Sequence, residues 1–271
     1  MKRTIPFLTM TTDWGLRDHY VGSFKGQVLT RSPHVNIIDL SHQIEQFDIL
    51  HASFLIRNSF SNFPAGTVHF IGLDSNNTPK SSDQIASILA IKSMNHVFIG
   101  IDSGIFSLIL ENEPAEIYRL RINPADGRSG MSMRLTEMIG NIMNGHPLKE
   151  QGVMQESFHQ SYLAKATFDP DGIRAVVLYI DEFGNAVVNV RQEEYNKVRR
   201  GREVMIHFRR AHYNINKISR TYEDAIVGEI VAFFNEDGYL EIALNRASAA
   251  GLLGIKVMES IRIEFYDKQT G

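Results

Sequence analysis

Residues 5–40 read IPFLTMTTDWGLRDHYVGSFKGQVLTRSPHVNIIDL, and this stretch decides the fold of the first half of the chain. Residues 5–9 form a short apolar run that predicts a strand, and Thr12-Asp13-Trp14-Gly15 closes the run with a polar group and a glycine. Residues 20–30 carry apolar side chains at helical spacing, and residues 35–40, after Pro33, predict a second strand. The pattern then recurs. Residues 48–60 have helical spacing, residues 67–73, 85–91 and 96–101 are strand-like, and a helix running from about Arg134 stops at Gly145-His146-Pro147. Strands separated by helices predict an α/β N-terminal domain with a mainly parallel sheet covered on both faces. Ligands of such sheets sit beyond the carboxyl ends of the strands, where this pattern places Asp13, Asp39, Asp74 and Asp102.

The character changes after Phe168-Asp169-Pro170-Asp171-Gly172, a turn-rich stretch that reads as a linker. Beyond it, residues 174–180, 186–190, 203–208, 226–234, 239–243 and 261–265 are short segments punctuated by glycine or charge. They predict an all-β C-terminal domain, a small barrel or sandwich. Two domains follow, residues 1–167 and 173–271.

The 271 residues are 43% hydrophobic and 22% charged, an ordinary globular composition able to bury a sizeable core. Cysteine is absent, which excludes disulfides and thiolate metal sites. No apolar run approaches the roughly 20 residues that span a bilayer, and Lys2-Arg3 leads into no signal-peptide pattern, so a cytoplasmic location without membrane contact is expected. A net charge of −3 argues against a nucleic-acid partner, and the basic run from Lys197 to Arg202 reads as a solvated β-turn face. His42 has no second ligand at metal-binding spacing, and His69 and His96, on apolar strands, read as core residues.

Asp13 has a specific chemical use. An ionised carboxylate at a strand end offers acceptor sites on two oxygens and so accepts both hydroxyls of a ribose, although Asp also suits the cap of the following helix. Ile180-Asp181-Glu182-Phe183-Gly184-Asn185 is the second motif. Read as a strand, it aligns Asp181, Phe183 and Asn185 on one face as an anion, an aromatic plate and an amide. Read as a hairpin, it makes Gly184-Asn185 the turn and puts Phe183 in the core.

Together with their flanks these motifs resemble the S-adenosylmethionine (SAM) hydroxide adenosyltransferase family, which also contains the fluorinase and chlorinase. Asp18-His19-Tyr20-Val21-Gly22 with Lys25-Gly26 is similar to the family's D-x-Y-V-G-x-x-K-G run, and residues 180–189 resemble I-D-x-F-G-N-x-x-x-N, with Asn189 last. Asp39, His42 and Phe47-Asp48 resemble the V-D-x-x-H segment that walls the sugar pocket; Asp102-Ser103-Gly104 resembles P-D-N-G. Residues 240–245, ending at Asn245, resemble the L-E-I-A-x-N segment over the adenine edge. The resemblance implies that Asp13 grips the ribose, Asp181 pairs with the methionine ammonium, and Phe183 and Asn185 serve the base. It also implies a small-molecule nucleoside ligand, no cofactor, SAM itself as substrate or ligand, and a homotrimer.

The match breaks at the catalytic set. The family uses an Asp and Arg in D-P-G-V-G-T-x-R and a His in T-F-H-G-R-D to activate water. This chain keeps Asp74 but has Ser81 at the Arg position, with Lys80 one place earlier as the nearest cation, and Gly130 is the closest equivalent of the His. Two readings follow: a SAM hydrolase with a rearranged set around Asp74 and Lys80, or a silent SAM or adenosine binder. A phosphate-handling Rossmann enzyme is disfavoured, because no glycine-rich loop follows an early strand.

Overall fold

The computed structural model describes residues 6–73, 88–121, 127–208 and 214–267, without the side chains of residues 127–129 and 131. The chain divides into two units, Met1–Tyr162 and Leu163–Gly271. In the first, β1 (Phe7–Thr12), α1 (Tyr20–Arg31), β2 (Asn36–Ser41), α2 (Ile49–Ser59) and β3 (Val68–Gly72) lead to a hairpin of β4 (Ile88–Ser93) and β5 (His96–Ile101). Then come α3 (Ile105–Leu110), β6 (Glu116–Leu120), α4 (Gly127–Met143), α5 (Leu148–Gln151) and β7 (Gly152–Gln155). The strands make one sheet in the order β2-β1-β3-β5-β4-β6-β7.

The sheet is mixed. Strands β2, β1, β3 and β5 are parallel neighbours, while β4, β6 and β7 join antiparallel. The departure from a simple parallel alternation has a local cause: Met94 and Asn95 take φ of 50° and 63° between paired Ser93 and His96, a two-residue turn of the I′ kind. A parallel crossover needs a dozen or more residues and had no room here. Alternate strand residues feed opposite faces. Leu8, Met10, Phe70 and Ile99 pack with Phe24 and Val28 of α1 and Leu135 and Ile139 of α4. Ile71, Leu89 and Phe98 pack with Ala52 and Ile56 of α2 and Ile105 and Phe106 of α3. Helices thus cover both faces, as the alternation predicts.

His69 and His96 are core residues. His69 Nδ1 is 2.7 Å from Thr9 Oγ1 and its Nε2 is 3.1 Å from His96 Nδ1, with Phe60 edge-on to both rings. Burial, aided by the neighbouring His96, lowers the His69 pKa to about 3. The unfolded chain binds this proton near pH 6.5 and the folded chain resists it, so His69 contributes stability above pH 6.5 that is lost as pH falls toward 3. Stability by urea unfolding is expected to drop by about 2 kcal/mol from this group between pH 7 and pH 5. His69→Gln should flatten that slope; an unchanged slope would show that other groups set it.

The second unit contains β8 (Thr167–Asp169), β9 (Gly172–Ile180), β10 (Ala186–Arg191), α6 (Gln192–Arg199), β11 (Glu203–Phe208), β12 (Ile230–Phe234), β13 (Tyr239–Leu244), α7 (Ala249–Leu253) and β14 (Ser260–Tyr266). All its pairings are antiparallel, in the order β11-β14-β9-β10-β13-β12 with β8 also on β9. Inward residues of all six strands on that path, Val177, Val188, Ile206, Ala232, Ile242 and Ile263 among them, gather in one core. The stretch 168–172 is no linker: Asp169 pairs with Gly172, making a hairpin inside this unit. The basic run is not a β-turn either. Lys197 and Arg199 occupy the last turn of α6, opposite Glu193 and Glu194 in its first, and Arg200 caps it with φ 48°. Arg202 then donates to the carbonyls of Val198, Arg199 and Pro170. Cations at a helix C-terminus meet exposed carbonyls and the negative end of the dipole.

Candidate functional site

In the first unit the carboxyl ends of the parallel strands carry the candidate residues. Asp13 directly follows β1, Asp39 lies near the end of β2, and Asp102 directly follows β5. Asp74 and Lys80, the candidate catalytic pair, and Ser81 lie outside the described residues. Helix α1 is capped at His19 without a side-chain bond, so Asp13 is not its N-cap. The Asp13 turn is packed from below. Trp14 stands edge-on to Phe24 and Phe70, at 5.4 and 5.8 Å, and a Cβ on Gly72 would come within 2.9 Å of Thr12, Trp14 and Phe70. Only a glycine lets these three groups meet there.

Beside it, Lys25 Nζ is 2.5 Å from Asp39 Oδ2, and His42 Nε2 is 3.0 Å from Asp39 Oδ1. Burial raises the Asp39 carboxyl, but the Lys25 ammonium and the His42 ring outweigh it and hold the pKa below its ordinary value. Asp102 is different. Burial raises its pKa, and the backbone N–H of His159, which donates at 2.8 Å, offsets only part of that rise. Phe47 is 54% exposed at a left-handed φ of 67°, immediately before Asp48, which caps α2 by accepting the His51 N–H at 2.9 Å. Phe47 thus presents an exposed ring from a backbone conformation that disfavours side chains.

In the second unit the motif at 180–185 is not a strand. Residues 181–185 form the loop between β9 and β10, with Ile180 paired to Ala186. Asp181 N–H donates to the Asn185 carbonyl at 3.0 Å, and Gly184 N–H donates to the Asp181 carbonyl at 2.9 Å, with Gly184 at φ 80°. The Asp181 carboxylate closes the loop by accepting Asn185 N–H at 2.8 Å and Asn185 Nδ2 at 2.9 Å. A short loop bound back on itself overrides the alternation of a strand, so residues 181, 183 and 185 do not share one strand face. Phe183 is 79% exposed at the tip, which also overturns its placement in the core by the hairpin reading.

The amide of Asn185 leads inward to a network that motif reading misses. Nδ2 also donates to Tyr222 Oη at 3.1 Å, Tyr222 donates to Glu241 Oε1 at 2.6 Å, and Asn235 Nδ2 donates to Glu241 Oε2 at 3.0 Å. Burial raises the pKa of Glu241, only partly offset by these two donors. One signal for it existed: a glutamate inside Leu240-Glu241-Ile242-Ala243-Leu244, a strand buried along its whole length. Asn245, next in line, donates through Nδ2 to the Ala225 carbonyl at 2.7 Å, and Asn189 bridges β9 to the Ala164 carbonyl.

The segment after Asn245 packs on the loop. Ala250 N–H donates to the Gly184 carbonyl at 2.8 Å, and a Cβ on Gly184 would overlap Ser248, 2.7 Å from its Cβ. Gly184→Ala combines that overlap with an unfavourable φ and is expected to destabilise this unit by about 2–4 kcal/mol, measured by urea unfolding. A wild-type midpoint would show that Ser248 gives way freely. The loop therefore brings together Asp181, Asn185 and the chain that follows Asn245, while Phe183 projects from it.

Among the described residues no cluster of three or more His, Asp or Glu could hold a metal ion, and no helix is long and apolar enough to cross a membrane. The chain matches two family models, the SAM hydroxide adenosyltransferase N-terminal domain over residues 8–137 and the C-terminal domain over residues 175–262. It is 26% identical to an (R)-S-adenosyl-L-methionine hydrolase of Methanocaldococcus jannaschii, covering 96% of each chain. It is 27% identical to a hydrolase of the same name from Thermus thermophilus, covering 96% of this chain and 99% of that one. A fluorinase of Actinopolyspora mzabensis is 23% identical over 95% of this chain and 97% of its own. Among solved structures, a conserved protein of Thermotoga maritima shares the fold with a TM-score of 0.82 at 24% identity, covering 96% and 99% of the two chains. With both of its domains matched in order, the chain belongs to the SAM hydroxide adenosyltransferase family.

Proposed function

We propose that this protein binds SAM and hydrolyses it to adenosine and methionine. The observation that carries the reading is the match along nearly the whole chain to SAM hydrolases, with Asp13 retained directly after the first strand of the sheet. In the reaction a water oxygen attacks the ribose 5′ carbon, the carbon–sulfur bond breaks, and its electron pair stays on sulfur as neutral methionine. The water proton passes to a base, for which Asp74 is the retained carboxylate, with Lys80, one place before Ser81 at the family's Arg position, as the nearest cation. The sulfonium is a leaving group already activated, so no cofactor is needed. Asp13 takes the ribose hydroxyls, Phe47 walls the sugar, Asp181 faces the ammonium, and Phe183, Asn185 and Asn245 serve the base. A homotrimer in the cytoplasm completes the reading.

Incubation with SAM and chromatography of the products tests it directly: adenosine and methionine must appear together. A second reading is favoured by one observation, the Ser81 and Gly130 found where the family has Arg and His. On that reading the protein binds SAM or adenosine without turnover. Both readings share the ribose grip. Asp13→Ala is expected to weaken adenosine binding by about 2–3 kcal/mol, because a charged acceptor is lost and the diol is left unpaired. An unchanged dissociation constant in calorimetry would remove Asp13 from the site.

A further inference from the structure

His42 holds the Asp13 turn on both sides. Its ring Nδ1 is 2.7 Å from Oγ1 of Thr12, the residue before Asp13, and its carbonyl accepts the N–H of Gly15, two residues after, at 2.7 Å. The His42 side chain is 1% exposed and Thr12 is fully buried, so neither faces solvent. On its far edge the ring meets Asp39, and Asp39 meets Lys25. Nε2 lies 3.0 Å from Asp39 Oδ1, an electrostatic contact without hydrogen-bond alignment, and Nδ1 shares a hydrogen bond with the Thr12 hydroxyl. The Thr12 oxygen also accepts the Trp14 N–H, at 3.4 Å. The series runs from α1 through β2 and the residue after it to β1, and it ends beside Asp13.

The His42–Thr12 link is buried while the Lys25–Asp39 pair is partly exposed, and polar links of this kind add little net stability and supply mainly a defined orientation. We propose that Lys25, Asp39 and His42 form a positioning relay that fixes the 12–15 turn so that the Asp13 carboxylate meets both ribose hydroxyls. The inference rests on the ribose role proposed for Asp13. It gives Lys25 and Asp39, 14 residues apart, a shared purpose that motif resemblance does not assign.

The test compares dissociation constants for adenosine and 2′,3′-dideoxyadenosine by calorimetry in the full chain. Wild-type protein should prefer adenosine. His42→Ala should cut that preference about ten-fold, the scale of one well-placed hydrogen bond, and leave dideoxyadenosine binding almost unchanged. His42→Asn, whose amide can still reach Thr12, should recover part of it. Asp39→Asn and Lys25→Met, at the more exposed end, should each reduce the preference about three-fold, and they decide the matter if His42→Ala does not fold. Equal weakening of both ligands, or a full preference kept in every variant, would overturn the relay and make His42 a structural residue. A wild type without any preference would instead remove the ribose role of Asp13, and the relay with it.

Discussion

Asp74→Asn is expected to lower the rate of adenosine formation from SAM at least 100-fold while changing the KM for SAM only a few-fold. Displacement at the 5′ carbon expels a neutral thioether from a sulfonium, so departure needs no acid. The barrier therefore lies with the nucleophile: a water must be held in line with the carbon–sulfur bond and must lose a proton as it attacks. A positioned base is worth about 100- to 10,000-fold in such a step. Asparagine keeps the shape of the side chain and removes its charge and basicity, so the substitution isolates that contribution, and the ribose and base contacts set KM separately. Full activity in Asp74→Asn would show that another group takes the proton. Absence of adenosine from wild-type protein that binds SAM would end the hydrolase reading and leave the silent binder.

Much of the fold can be read from local pattern, and the exceptions have physical causes. The six strand segments expected after residue 173 all exist within a few residues, because each has an apolar run bounded by glycine or charge. The 88–101 hairpin is hidden because its turn is Met94-Asn95, without the glycine that usually announces a left-handed pair. Helix α6 is hidden because it is only eight residues long and turns just Tyr195 and the partly buried Val198 to the core, too narrow an apolar stripe to stand out. The site divides the same way. The position of Asp13 at a strand end is legible, since strand and turn are local features. The loop at 181–185 is misread as a strand because Asp181 and Asn185 bind each other, a side-chain contact that a period of two cannot express. The Tyr222–Glu241 network and the Lys25–Asp39–His42 series join residues from separate elements, and only their tertiary contacts reveal them.

Restoring the missing groups should move the rate in the opposite direction. If the pocket is otherwise intact, Ser81→Arg with Gly130→His is expected to raise SAM hydrolysis by about 100- to 10,000-fold over a slow wild type, the worth of positioned acid–base help. Arginine supplies the planar fork that orients a carboxylate and a water, which neither Ser81 nor Lys80 offers. The imidazole enters at a favourable place. Gly130 lies in the first turn of α4 at intermediate exposure, so replacing glycine there improves helix propensity by a few tenths of a kcal/mol and gives the ring a rigid support. A helix turns about 100° per residue, so His at Ser129, Gly130 or Met131 samples three directions around its axis, and one of the three should respond far more than the others. A brisk wild-type rate that the added groups do not raise would mean this chain has its own way of activating water. No adenosine from any of the variants, all of which still bind SAM, would place the loss of catalysis deeper than these two side chains.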